Sequence, residues 1–158
     1  MDRYDPNEWT TSFVRANADF CIQFLQETNA MVIQLLRKEN YAASVAGLDR
    51  ILNGLITFYN AGAQTDLVRF LICCHSMAES HVIAFGLEGG DLTLRRKNAI
   101  GCLEDARDFG DEDDKEMLQP LADALYSNKS LAQIRYEIEP NFPTDTIDVL
   151  EKTQKLMH

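Results

Sequence analysis

The densest group of side chains able to do chemistry lies in residues 73–81, which include His75, Glu79 and His81. Residues four apart share one face of a helix, so His75 and Glu79 could hold a metal ion there. A helical metal site also needs ligands from neighbouring helices, whose inward rows in this sequence are apolar. We therefore expect His75 and Glu79 to form a surface or interface pair, and His75, Glu79 and His81 to be the metal candidates if a metal binds.

A second arrangement on the same segment pairs Arg69 with His75, six residues further along the chain. This spacing resembles the arginine-to-histidine motif of helical nucleases found among toxin and antiviral effector domains. The resemblance implies Arg69 and His75 as catalytic residues of a nuclease. In that family the motif lies near the last helix among polar residues, whereas here it lies mid-chain beside Ile72, Cys73 and Cys74.

Motifs of other enzyme classes are missing from the sequence. It contains no serine nucleophile elbow, and Gly89-Gly90 fits no nucleotide-binding fingerprint. The acidic residues 108–114 lack the alternating oxygen ligands and the central glycine of a helix-loop-helix calcium site. The sequence therefore predicts no catalytic residue and no cofactor.

Charge and hydropathy narrow the classes of partner. The chain has 158 residues and a formal net charge of -10, whereas nucleic acids and anionic membranes are bound mainly through Lys and Arg. No apolar run reaches the ~18 residues that span a bilayer, and the first six residues do not resemble a signal peptide. We therefore expect a cytoplasmic protein that binds neither nucleic acid nor membrane. Its four cysteines are expected to be buried free thiols.

The elements that must position these side chains are helices, because apolar residues recur at three- and four-residue steps. The first helix is predicted from Asn7 or Glu8 to about Lys38. Its predicted inward row is Trp9, Phe13, Ala16, Phe20, Phe24, Met31 and Leu35. A flanking row widens this stripe and consists of Val14, Cys21, Leu25, Val32 and Leu36. Such a wide stripe predicts contact with two or more neighbouring elements.

The second helix is predicted to begin at Tyr41 after the polar break Glu39-Asn40, and to run antiparallel to the first. Its predicted seam is Tyr41, Val45, Leu48, Leu52, Leu55 and Tyr59. Gly62 suits a left-handed helix cap, and Thr65 or Asp66 suits the start of a third helix. The third helix contains His75 and Glu79.

A fourth helix is predicted from Asp91 or Thr93 to Gly110, with Arg95-Arg96-Lys97 facing water. Short turns between four helices predict an all-α, antiparallel up-and-down bundle over residues 7–110. Residues 111–158 are more acidic, and two or three shorter helices are predicted there, packed on the bundle. The whole chain is thus predicted to be a single helical domain, 1–158.

Over residues 30–110 the helix lengths and turn positions, with Gly90-Asp91 at one turn, resemble the flagellin-type export chaperones. The resemblance implies a helical bundle that binds another protein, although the acidic residues 111–158 have no counterpart in that family. From the residues alone, the expected function is a non-enzymatic protein-binding module of adaptor, chaperone or inhibitor type. Two alternatives stay open: a metal-binding protein or enzyme using His75, Glu79 and His81, and a homodimer formed through surplus apolar surface around Trp9 and Phe13.

Overall fold

The computed structural model describes residues 1–63 and 65–82, together with Arg95, Ile147, Leu150, Glu151, Gln154 and Lys155. This part of the chain is all-α, as the periodicity predicts. It contains a short 3-10 helix, Pro6–Glu8, and four α-helices: α1 Thr11–Ala16, α2 Ala18–Arg37, α3 Tyr41–Ala61 and α4 Asp66–His81. The predicted fourth main helix, the acidic run 111–114 and most of the C-terminal helices lie outside the described residues.

The single first helix predicted from residue 7 to 38 is wrong, because the chain is interrupted twice there. Asp5 caps the 3-10 helix, and Thr10 caps α1 by accepting a hydrogen bond from the Phe13 N–H at 3.1 Å. Asn17 then leaves the helical conformation, and its side-chain amide donates to the Phe13 carbonyl at 3.0 Å. Short polar side chains compete in this way with the helical backbone bonds, which separates α1 from α2.

In the first helical region, the structure buries the predicted flanking row more deeply than the predicted inward row. Its flanking row is the one that is fully buried: Val14, Cys21, Leu25, Val32 and Leu36. In the predicted inward row, Trp9 is buried but Phe13, Phe20, Phe24 and Leu35 are only partly covered, and Met31 is 49% exposed. An apolar row on α2 is therefore left partly exposed.

Helices α2 and α3 form the antiparallel pair that the short connection predicts. Gly47 of α3 lies against Val32 of α2, and Gly54 of α3 lies against Leu25 of α2. The residue numbers increase along α3 while they decrease along α2, so the two helices are antiparallel. A Cβ at Gly47 would approach the Val32 Cγ2 to 2.6 Å. The two glycines thus allow a closer approach of the helix axes than side chains would permit.

The buried stripe of α3 is rotated from the predicted seam. Leu48 and Leu55 are buried as expected, whereas Tyr41, Val45 and Leu52 are half-buried and Tyr59 is exposed. The remaining buried positions are Ser44, Gly47, Ile51, Gly54, Phe58 and Ala61. The glycines at 47 and 54 face α2, and a pattern that counts only large apolar residues does not detect them.

Both turns that flank α3 follow the prediction. Between α2 and α3, Glu39 takes a left-handed conformation with φ 56°, and the Asn40 side chain caps α3 by accepting from the Ala43 N–H. After α3, Gly62 is the left-handed cap with φ 65°, and Thr65 caps α4. These signals are local, so they can be recognised without knowledge of the tertiary structure.

The described C-terminal residues contact α2. Leu150 is buried, and Gln154 accepts a 2.5 Å hydrogen bond from the Asn29 amide and donates to the Gln26 carbonyl at 2.8 Å. Arg37 and Glu151 form an ion pair at 2.6 Å near the surface. Buried polar groups of α2 thereby gain partners from a segment more than 100 residues away along the chain.

Candidate functional site

The helix α4 places His75 and Glu79 on one face, as predicted, but buries both side chains completely. His81, at the end of α4, is buried as well. The expectation of a surface pair is therefore wrong. The reason is that α4 packs against both α2 and α3, and Arg95 lies over the Glu79 carboxylate.

An ion network forms around Glu79 at the junction of α3 and α4. The Glu79 Oε1 accepts a hydrogen bond from the Arg95 Nη1 at 2.7 Å, and the same Nη1 lies 2.9 Å from the Asp49 Oδ1. The Arg95 Nη2 donates to the Val45 carbonyl at 3.1 Å. One guanidinium thus connects α3, α4 and its own segment. Arg95 was expected to face water, and that expectation is wrong because only 6% of the residue is exposed.

Burial sets the protonation of the groups beside this arginine. Burial, aided by the positive charge of Arg95, lowers the pKa of His75 from 6.5 to about 3. Burial is also the main reason that the pKa of Glu79 is raised to about 7. The charge of Asp49 adds to this increase, whereas the charge and the hydrogen bond of Arg95 oppose it. His75 is thus neutral at physiological pH, so its 3.5 Å approach to the Glu79 carboxylate is not an ion pair.

A metal ion at this place would compete with the arginine. The His75 Nε2 and the Glu79 Oε1 lie 3.5 Å apart, but the guanidinium of Arg95 already occupies the position in front of that carboxylate oxygen. Among the side chains that the structure describes, no group of three or more His, Cys, Asp or Glu is arranged to hold a metal. The geometry of the described residues favours a structural ion pair, and His75, Glu79 and His81 stay metal candidates only.

The structure places Arg69 and His75 in different surroundings. Arg69 is partly exposed and lies 3.2 Å from the carboxylate of Asp66, one turn earlier in α4. His75 is fully enclosed, and six residues along a helix place it well away from the Arg69 face. A nuclease needs both groups open to one substrate phosphate, and this arrangement does not present them together.

The two cysteines of the described core are buried thiols, as predicted. Cys21 and Cys74 are free and buried. Burial raises the pKa of the Cys21 thiol to about 11, although the nearby Arg3 charge opposes this. Because the thiolate is the nucleophile, a thiol with such a pKa is unreactive at neutral pH. Cys102 lies outside the described residues.

A second candidate region, which the motif search missed, is an aromatic cluster formed by the N-terminal segment and α2. Its members are Tyr4, Trp9, Phe13, Phe20 and Phe24, with neighbouring ring centroids 5.9 to 6.3 Å apart. Trp9 is buried, and its indole N–H donates to the Arg3 carbonyl at 2.9 Å. Tyr4 is 58% exposed, so the cluster runs from the core to the surface. The repeated aromatic residues of the first helical region were the available signal, but periodicity assigned them to the core.

The outer edge of this aromatic cluster borders a half-open cavity of about 210 Å³. It is lined by three of the rings and two polar side chains: Tyr4, Phe20, Phe24, Gln23 and Glu27. The guanidinium of Arg3 stacks on the Phe20 ring next to it, 4.1 Å from the ring centroid. The walls combine π faces with a carboxylate, which are the groups that attract cations.

Comparison with known proteins yields no match to a family model, a curated protein or a solved structure. None of the helices within the described ranges is both long and apolar enough to cross a membrane.

Proposed function

We propose that this chain is a non-enzymatic helical module that binds another protein, of adaptor, chaperone or inhibitor type. The supporting observation is an apolar row of α2 that the described core covers only in part: Met31 is 49% exposed, and Phe20, Phe24 and Leu35 are half-buried. Together with Tyr4 it forms what we call the aromatic face. Contiguous exposed apolar and aromatic surface is typical of protein-binding sites, because a partner removes it from water.

The charged side chains of the described residues support the same class of function. The most polar cluster, around Glu79 and Arg95, is enclosed in the core, where it can order helices but cannot meet a substrate. Catalysis requires reactive groups within reach of a bound substrate. The aromatic face, in contrast, is partly exposed along about four turns of α2.

The proposal includes the wider architecture predicted from the sequence: a cytoplasmic, single-domain, up-and-down bundle over residues 7–110, with residues 111–158 packed on it. Contacts of Leu150, Glu151 and Gln154 with α2 support the packing of the C-terminal segment. That segment contacts the side of α2 that carries Asn29 and Arg37. In this arrangement the aromatic face stays available to a partner.

The test uses two substitutions that match in chemistry and exposure. Met31 belongs to the aromatic face and is 49% exposed, whereas Ile56 lies on α3 and is 47% exposed. Wild type, Met31→Ser and Ile56→Ser would each be purified under native conditions from the source cells, and the retained proteins would be measured by native mass spectrometry. We expect a stoichiometric partner with wild type and Ile56→Ser, and a strong loss of it with Met31→Ser.

Equal retention by both variants would show that the aromatic face does not bind the partner. A protein that retains no other chain and no second copy of itself would contradict the proposal as a whole. Circular dichroism of the variants confirms that helicity is unchanged, so that loss of the partner is not loss of the fold.

A further inference from the structure

From the cavity beside Tyr4 we infer the chemistry of the partner: the cavity receives an arginine side chain from a basic segment of the partner protein. This inference depends on the proposed protein-binding function and specifies what the aromatic face recognises. It is carried by the size of the cavity, the groups that line it and the net charge of the chain.

The size of the cavity suits one side chain. Pockets for small molecules commonly have volumes of roughly 300–1,000 Å³, whereas this cavity has about 210 Å³. A single long side chain inserted from a partner surface is a better match than a free metabolite. Anchoring by one residue in a pocket is also how many protein interfaces concentrate their binding energy.

The lining selects a cation. Tyr4, Phe20 and Phe24 line the cavity with aromatic rings, whose π faces attract positive charge, and the acidic residue Glu27 lines it with them. The Gln23 amide donates to that carboxylate at 3.3 Å, which holds Gln23 and Glu27 together along one side. The chain as a whole has a net charge of -10, so a basic segment is also attracted at long range.

The chain's own Arg3 indicates arginine as the preferred cation. Its guanidinium stacks 4.1 Å from the centroid of Phe20, which shows that a planar cation fits against this cluster. Guanidinium stacks on rings and pairs with carboxylates through its planar fork, whereas the ammonium of lysine is more strongly hydrated. Arg3 itself does not line the cavity, but its guanidinium also lies 5.8 Å from the Tyr4 ring centroid, so the side lined by Phe24 and Glu27 is the one left for a second guanidinium.

The wall formed by Tyr4 is held in place before a partner arrives. The Arg50 Nη2 donates to the Tyr4 carbonyl at 2.9 Å, and the Trp9 indole donates to the Arg3 carbonyl at the same distance. The Tyr4 N–H donates to the Asp2 carboxylate at 2.8 Å. A preformed wall lowers the entropy lost on binding.

The experiment is a titration of the isotope-labelled full chain with acetyl-Gly-Arg-Gly-amide, followed by amide and aromatic NMR shifts. Citrulline has nearly the shape of arginine but no charge, so the same peptide with citrulline is the matched ligand control. We expect the arginine peptide to bind about fivefold more tightly, from one cation-π contact and one exposed ion pair. The shifts should centre on Tyr4, Gln23, Phe24 and Glu27.

Two variants locate the charge that matters. Glu27→Gln removes the carboxylate that lines the cavity and should weaken the arginine peptide about threefold, whereas Asp19→Asn removes an α2 carboxylate that does not line it. Equal affinity for arginine and citrulline, equal effects of the two variants, or shifts centred elsewhere would overturn the inference. If the arginine peptide fails but Met31→Ser still releases the natural partner, the proposed function stands and only the arginine pocket is wrong.

Discussion

The carboxylate of Glu79 accepts a 2.7 Å hydrogen bond from the guanidinium of Arg95 inside the protein, where both residues are almost entirely shielded from water. The two residues are 16 positions apart in the sequence, and the same guanidinium reaches Asp49 and the Val45 carbonyl of α3. This pair therefore connects three parts of the chain through one side chain.

Removing the arginine should be costly. Above pH 7, where the Glu79 carboxyl is ionised, Arg95→Met leaves it buried without its cation, which typically costs about 3–5 kcal/mol in the free energy of unfolding. The double variant Arg95→Met with Glu79→Leu should be more stable than Arg95→Met alone, because it removes both charges. Urea denaturation of wild type and of these two variants measures the differences in unfolding free energy. Arg37→Met, at the more exposed pair with Glu151, is the control and should cost about 0–1 kcal/mol.

His75 should make stability depend on pH. Its pKa is about 3 in the folded chain and 6.5 in the unfolded chain. The unfolded chain therefore binds the extra proton, and stability is lost as the pH falls from 6.5 to 3. The difference in unfolding free energy between wild type and His75→Gln should rise by a few kcal/mol across this interval and level off above it. Parallel curves for the two proteins would contradict a buried neutral His75.

The raised pKa of Glu79 acts in the opposite direction in the same experiment. The folded chain keeps the Glu79 proton up to about pH 7, whereas the unfolded chain loses it near 4.5. Stability from this group is present below pH 4.5 and is lost as the pH rises to 7. Both proteins in the comparison retain Glu79, so the difference between them isolates His75.

The close contact of α2 and α3 should resist even one added methyl group. Gly47→Ala would place a Cβ 2.6 Å from the Val32 Cγ2, and overpacking of this kind costs about 1–3 kcal/mol. Alanine gains about 1 kcal/mol in helix propensity, so the net change should still be a destabilisation. In a Val32→Ala background the same substitution should be neutral or stabilising. Thermal denaturation of this four-member cycle would detect the coupling.

Adjacent residues of α3 test the rotation of its buried stripe. Ile51 is fully buried and Leu52 is half-buried. Ile51→Ala should cost about 2–5 kcal/mol, and Leu52→Ala should cost clearly less because less apolar surface is lost from the core. Denaturant midpoints at equal slope give the comparison. A larger loss of stability for Leu52→Ala than for Ile51→Ala would support the buried stripe predicted from the sequence instead.

The turn between α2 and α3 offers a stabilising substitution. Glu39 has φ 56°, a conformation that glycine adopts without the steric cost that a Cβ brings. Glu39→Gly should raise the unfolding free energy by roughly 0.5–1 kcal/mol. Lys38→Gly, one residue earlier at φ -85°, is the control and should lower it. A destabilisation at both positions would show that Glu39 makes a contact that outweighs its backbone strain.

Several features of the fold could be predicted because their causes are local. The all-α class follows from periodicity, and the starts of α3 and α4 follow from Asn40 and Thr65, which cap their own helices. Gly62 ends α3 as expected. The break at Asn17 has an equally local cause, since Thr10 and Asn17 bond to backbone groups within one turn. It was missed because a continuous apolar pattern was given more weight than those polar side chains.

The sequence by itself determined that the described chain folds into helices, where α3 starts and stops, where α4 starts, and that His75 and Glu79 share a face. Only the tertiary structure decided which of two apolar rows on α2 enters the core, and it buried the row centred on Leu25 because Gly47 and Gly54 let α3 approach that side. It also decided that Arg95 leaves water to meet Glu79. Periodicity reports the distribution of side chains around one helix, whereas burial depends on which neighbouring elements can fit against it.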